Sequence, residues 1–370
     1  MKISHKLMTL VCFVTVGLFG LSGLELRAAE QKQVNVYNWA DYLDPKTIKD
    51  FEKETGIKVV YDTYESDGSV EAKLSSGASG YDVVNSGTVT KIRLQKIGQL
   101  TELDRSKLPN WKNLDPIIMK VLAKDDPDNR YSIPNYYGTF GYIYNVDKVN
   151  KIAPGAAFDS VQAILDPTRI AQYAACGINL YDGAIDNYSI YYISKGKSGN
   201  YKTAADITEA EAAYLKIRRY IRKIDSGDYI NALANGEICV TSGFSGDYLA
   251  AITKAASSGI KINLKFAMPK EGGMIWVDQW VIPTTAKNKA EAYQFINYMI
   301  SAKAAAANSN MVKYPTPVLN ARPFVDKALL DNPAVYIPSE NLAKLEAYTD
   351  SPSVLDKQLN KSWNRFKSGK

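Results

Sequence analysis

Residues 34–61 read VNVYNWADYLDPKTIKDFEKETGIKVVY, and this stretch sets the fold class. Val34–Asn38 is a short apolar strand. The chain then turns through Trp39-Ala40-Asp41-Tyr42. Asp44 follows as a helix N-cap, where its side chain can satisfy a free amide. Pro45 takes the first helical position, where a missing N–H costs nothing. The helix TIKDFEKET stops at Gly56, a residue suited to the left-handed end of a helix. Ile57–Tyr61 is again a strand. Strand, helix, strand is a β-α-β unit, which predicts a parallel sheet with the connecting helix on one face.

The alternation continues. SVEAKLSSG reads as a helix and YDVVNSG as a strand ending in a turn. Glu237–Ser242 is a strand and Tyr248–Ala256 a helix. Lys261–Ala267 and Met274–Ile282 are two strands about a PKEGG turn. Helical patterns run over Thr208–Lys223 and from Ala290 to about Ala306. The aromatic, extended run Tyr131–Asn145 lacks a helical period and is suited to crossing between two lobes. A second crossing is expected near Asn308–Thr316, where a helix gives way to KYPTP. Two α/β lobes joined by more than one crossover make a hinged cleft, which is a binding architecture.

Composition narrows the function. The chain has 370 residues, 46% hydrophobic and 23% charged, and a formal net charge of +6. That is a soluble globular composition with chain enough for two domains. Residues 1–28 read as a cleaved secretory signal. Lys2 and Lys6 form its basic end, Leu7–Leu24 its apolar stretch, and Arg27-Ala28-Ala29 a small-residue site. The other reading is an uncleaved anchor, since about 18 apolar residues just reach across a bilayer. Gly, Ser and Thr dilute this stretch, which favours cleavage and a soluble periplasmic protein. The leader carries Lys2, Lys6, Arg27 and Glu25, so +4 would remain after its loss. The single histidine, His5, would leave with it. Serine–histidine, cysteine–histidine and histidine-based metal chemistry would then be excluded.

Two cysteines, Cys176 and Cys239, would remain in an oxidising compartment and read as one disulfide, with two buried free thiols as the alternative. Closing a loop of about 60 residues is worth roughly 4 kcal/mol in the chain-entropy model. No phosphate loop, dinucleotide-binding glycine pattern or nucleophile elbow occurs. The run Asp125-Asp126-Pro127-Asp128 lacks calcium-loop spacing and reads as a solvated turn. Lys and Arg are dispersed, which argues against nucleic acid as a partner.

Three loops share one content. Each sets a large aromatic shortly before an aspartate: Trp39 and Tyr42 around Asp41, Phe244 before Asp247, and Trp276 before Asp278. Asp186 after a glycine-rich turn adds an acid, and Tyr314 at the expected crossover adds a ring. Carboxylates accept charge-assisted hydrogen bonds from ammonium groups, and aromatic faces attract cations and cover methylenes. Each loop also has a structural reading. Asp247 could cap the helix that follows it, Asp41 its own turn, and Trp276 could be core.

At these residues the chain resembles the polyamine-binding proteins of bacterial ABC importers, the putrescine and spermidine periplasmic receptors. The segments YNWADYLDP, FEKETGIKVVYD, LDRSKLPNWKNLDP, YNVDKV, YINALANGEICV, PKEGGMIWVD and AKNKAEAYQFINY carry the likeness. The resemblance implies a two-lobed α/β periplasmic-binding-protein fold of type II. It implies an N-terminal lobe of 29–138 plus about 258–312, and a C-terminal lobe of 139–257 plus about 313–370. It implies a monomer that delivers a linear polyamine to an inner-membrane permease, with no cofactor, no resident metal and no catalysis. By position, Trp39 would stack on the ligand, Tyr42 would line the pocket, and Asp41 and Asp278 would hold ammonium groups. Asp247 matches the putrescine-type members, whereas Trp276 and Tyr314 look more like the spermidine type. Asp186 stands where a glutamate is usual and Phe244 where a tryptophan is. Ala40 replaces a polar residue. Asn85-Ser86-Gly87 replaces a V-P-S turn, so a pocket serine is missing unless Ser86 reaches in.

Two other readings follow from the residues. The 25 tyrosines and the pair Tyr136-Tyr137 suit a ferric-iron receptor of similar architecture. An Asp/Glu pair suits a periplasmic hydrolase that needs no histidine.

Overall fold

The computed structural model describes residues 31–77 and 79–369. The expected signal peptide lies outside them. Among the described residues no helix is long and apolar enough to cross a membrane.

The opening unit forms as its residues dictate. Strand β1 (Gln33–Trp39) leads into helix α1 (Pro45–Thr55), whose Asp44 cap accepts from the Lys46 N–H at 2.8 Å. Gly56 ends the helix at φ 70° and β2 (Lys58–Tyr64) returns parallel to β1. Helix α2 (Asp67–Ser75), capped by Ser66, precedes β3 (Val83–Ser86), which is parallel to β1 on its other side. Helix α3 (Thr88–Lys96) follows directly.

The central element is β4 (Ile133–Asn145), buried along its whole length. Its first half, to Thr139, pairs antiparallel with β9 (Met274–Val281), which pairs onward with β3 and with the short β10 (Glu346–Ala347). Its second half, from Phe140, lies between β7 (Val240–Phe244) and β8 (Leu264–Ala267). Beyond β7 come β5 (Ile178–Leu180) and β6 (Lys223–Ile224), both parallel. One strand shared by two sheets explains both the expected crossing at Tyr131–Asn145 and the single compact unit formed by Lys32–Lys370.

Several sequence-based expectations change. The strands on either side of PKEGG are no hairpin, because each pairs with a different half of β4. Strand pairing therefore changes sheet at Met268–Gly273, not near 258. The segment after Val312 also stays with the first sheet, since the Tyr137 N–H donates to the Pro315 carbonyl and Val318 bridges to Leu114. The chain returns to the second sheet only after β10, not near 313. There the helix Ser353–Ser368 packs through Trp363, whose indole N–H donates to Asp182 at 2.6 Å. The pattern over 290–306 is two helices, Lys289–Met299 and Ala302–Val312, broken at Ile300-Ser301. The helix expected over 208–223 ends at Leu215, and Lys223 begins β6 instead. Asp126 is not solvated: it is fully buried and ion-paired with buried Lys91 at 3.0 Å. Burial of both charges is tolerated only because they pair. Cys176 and Cys239 form a disulfide at the starts of the neighbouring strands β5 and β7, with Cα atoms 5.7 Å apart.

Candidate functional site

The cavity opens where the strands end. Trp39 closes β1, Gly87 follows β3, Tyr181 follows β5 and Phe244 closes β7. Ligands of open α/β sheets collect at these carboxyl ends. Trp276 and Asp278 enter from the middle of β9, and Tyr314 from the segment beside β4. Together they bound a cavity of about 470 Å³.

Its acids are held by phenols. The Tyr42 hydroxyl donates to Asp278 at 2.7 Å, the Tyr348 hydroxyl to Asp186 at 2.9 Å and the Tyr314 hydroxyl to Asp247 at 2.8 Å. Tyr229 donates to the other oxygen of Asp247, which also receives the Phe244 N–H at 3.3 Å. A carboxylate has about four acceptor sites, so one to three donors fix its direction and leave the rest for a ligand. Asp247 is the first residue of its helix (Asp247–Ser257), after Gly246 at the cap position, so it belongs to the cavity and does not cap that helix. Gly246 matters sterically, because a Cβ there would lie 2.5 Å from Cε1 of Tyr314.

Aromatic rings form the walls. Trp276 meets Tyr314 edge-on at 4.8 Å and Phe244 at 6.1 Å, while Trp39 leans on Tyr64 at 4.5 Å. The indole N–H groups of Trp39 and Trp276 are buried without a protein acceptor.

Among the described residues no lysine, arginine or histidine lines this space. Without a neutralising cation, burial drives the acids toward their neutral forms. It pushes Asp278 up to about 7, with the nearby charge of Asp67 adding and the Tyr42 hydrogen bond opposing. Asp186 rises to about 6 by burial against the Tyr348 hydrogen bond. Burial also raises Asp247, against its donors Tyr229, Tyr314 and Phe244 N–H.

The sequence matches the bacterial extracellular solute-binding protein family over residues 46–336. The chain belongs to that family. It is 40% identical over 345 residues to the putrescine-binding periplasmic protein PotF of Escherichia coli (strain K12), covering 93% of each chain. It is 35% identical over 363 residues to a putrescine/agmatine-binding protein of Pseudomonas aeruginosa, covering 97% of this chain and 99% of that one. Among solved structures, the spermidine/putrescine ABC transporter substrate-binding protein PotD from Streptococcus pneumoniae aligns with a TM-score of 0.80 at 27% identity. That alignment covers 91% of this chain and 99% of the other. The architecture is thus the two-lobed type II periplasmic-binding fold, with a sheet in each lobe and a cleft between.

In this solute-binding protein eight of the expected residues line one cavity: Trp39, Tyr42, Asp186, Phe244, Asp247, Trp276, Asp278 and Tyr314. Two do not. Asp41 is exposed at φ 54°, a left-handed turn that sends Tyr42 inward and Asp41 out. Ser86 is buried and its hydroxyl turns to the Gly87 carbonyl at 3.3 Å. The tyrosine pair suited to iron is also absent from the cavity wall: Tyr136 reaches the Tyr42 carbonyl and Tyr137 packs among Ile118, Val121 and Ile275.

Sequence reasoning missed Asp67, Tyr181 and Tyr348, all of which line the cavity. Tyr181 had a signal, since it follows a strand end. Asp67 stands two residues ahead of the SVEAKLSSG helix pattern, in a helix that begins at Asp67 itself. Tyr348 comes from a distant segment and carries no local signal.

Proposed function

We propose that this protein is the periplasmic receptor of an ABC importer and that it binds a linear polyamine in the cleft between its lobes. The observation that carries the reading is a cavity with four aspartates, aromatic walls and, among the described residues, no basic side chain. Asp186, Asp247 and Asp278 accept from ammonium groups. Trp39, Phe244, Trp276 and Tyr314 cover the methylenes and add about 0.5–2 kcal/mol per cation–π contact. The names of its relatives support the same ligand class.

The lobes would close about the three connections at Thr139-Phe140, Met268–Gly273 and the stretch after β10. Closure removes water and strengthens each ion pair. A monomer that docks on a membrane permease and performs no chemistry completes the reading. Its export through a cleaved leader follows from residues 1–28.

A thermal-shift panel of putrescine, cadaverine, spermidine, spermine and agmatine tests it. A ligand at 100 times its Kd adds about 2.7 kcal/mol of stability, a shift of several degrees. No shift with any of the five, or turnover of any of them, overturns the proposal.

A further inference from the structure

Asp67 is the first residue of α2, and its carboxylate accepts from the Thr90 hydroxyl at 3.1 Å and from the Gly87 N–H. Its accessible face opens into the cavity beside Gly87 and Thr88. The residue as a whole is exposed, but the protein packed around its carboxylate raises the pKa by desolvation.

Residue 87 lies directly against this carboxylate. The backbone of Gly87 has φ −62°, which any residue adopts, so the missing side chain answers no backbone need. A Cβ at this position would lie 3.0 and 3.1 Å from the two carboxylate oxygens of Asp67. A side chain here would push the carboxylate away by a few tenths of an ångström, and the bare glycine leaves it uncrowded.

Three observations say what Asp67 faces. Its negative charge raises both Asp186 and Asp278, so it stands within electrostatic range of each. The arginine that acts on it, Arg93, is already engaged by Glu71, Asp350 and Asp356. The cavity of about 470 Å³ is in the range of pockets that enclose small organic ligands. A four-carbon diamine has only six heavy atoms, and spermidine has ten.

We infer that Asp67, seated against Gly87, is a subsite for a third cationic group, acting with Asp186 and Asp278, and that the cleft suits a linear triamine better than a diamine. This rests on the polyamine reading above. The four carboxylates Asp67, Asp186, Asp247 and Asp278 are matched more closely by three ammonium groups than by two.

Isothermal titration of putrescine and spermidine into the wild-type protein, Asp67→Asn and Gly87→Ser tests the subsite. Asp67→Asn is expected to raise the spermidine Kd at least tenfold more than the putrescine Kd. Gly87→Ser should shift the ratio in the same direction, because its side chain crowds the carboxylate and moves it from its place. It also places a favoured capping residue at the start of α3, so it keeps the test open if Asp67→Asn does not fold. A spermidine-to-putrescine ratio unchanged in both variants overturns the subsite, whether the two affinities fall together or not at all. If the wild-type protein binds neither amine, the polyamine reading has failed and the subsite falls with it.

Discussion

The hydroxyl of Tyr42 donates a 2.7 Å hydrogen bond to Oδ2 of Asp278, joining residues 236 positions apart in sequence. Tyr42 leaves the turn after β1, and Asp278 stands on the central strand β9 of the same lobe. The bond aims one oxygen of a buried carboxylate and opposes the rise in its pKa. Hydrogen bonds to charged groups are worth about 1.5–3 kcal/mol. Tyr42→Phe keeps the ring and removes the donor, so polyamine affinity at pH 8 should fall roughly tenfold or more. Calorimetry that finds wild-type affinity in this variant would remove Tyr42 from the site.

Binding should weaken in acid. A bound ammonium holds Asp278 and Asp186 ionised, so their pKa values fall on binding and protons are released. Affinity is therefore full above the ligand-free values and declines as pH drops below about 7 for Asp278 and about 6 for Asp186. Titrations from pH 8 to pH 5 should show this decline, with proton release near pH 7 detected by changing the buffer's ionisation heat. A flat profile counts against buried, uncompensated acids.

Without ligand, Asp278 should cost stability. Its folded-state pKa of about 7 lies above the value of about 3.9 for an unfolded aspartate. The protonated form favours folding, so its contribution is present in acid and is lost as pH rises through 4 toward 7. Asp278→Asn should raise the ligand-free Tm at pH 8, by of order 1–3 kcal/mol of stability, and change little near pH 4. A lower Tm at pH 8 contradicts this, and the same variant should bind polyamine far more weakly.

Gly246→Ala should damage binding without touching a ligand contact. Its Cβ would fall 2.5 Å from the Tyr314 ring, which must move away from both Asp247 and Trp276. A loss of about tenfold in affinity is expected from one charged hydrogen bond. An unchanged Kd means the ring is not held where it matters.

The disulfide should be structural. Replacing Cys176 and Cys239 by alanine opens a loop of 63 residues and should lower unfolding stability by about 2–4 kcal/mol. Urea unfolding measures it, and polyamine affinity should follow only through stability. Equal midpoints for the two proteins would show that the bridge restrains little.

By itself the sequence determined the elements and most of the chemistry. The cap at Asp44, the stop at Gly56 and the alternation of strand and helix are local, set by neighbours within a few residues. Aromatic–acid pairs at strand ends are equally local, and eight residues read from them or from the resemblance meet in one cavity. Tertiary structure decided what depends on direction and distance. A left-handed backbone turned Asp41 outward, and the bare Gly87 left the Asp67 carboxylate uncrowded. Tyr348 reached Asp186 across 162 residues. The two halves of β4 sorted β8 and β9 into different sheets. The net +6 with which the chain is written says nothing of the cleft, where folding gathers four acids and, among the described residues, no base. Which charges face the ligand is fixed by packing between distant segments, and that is invisible in a linear count.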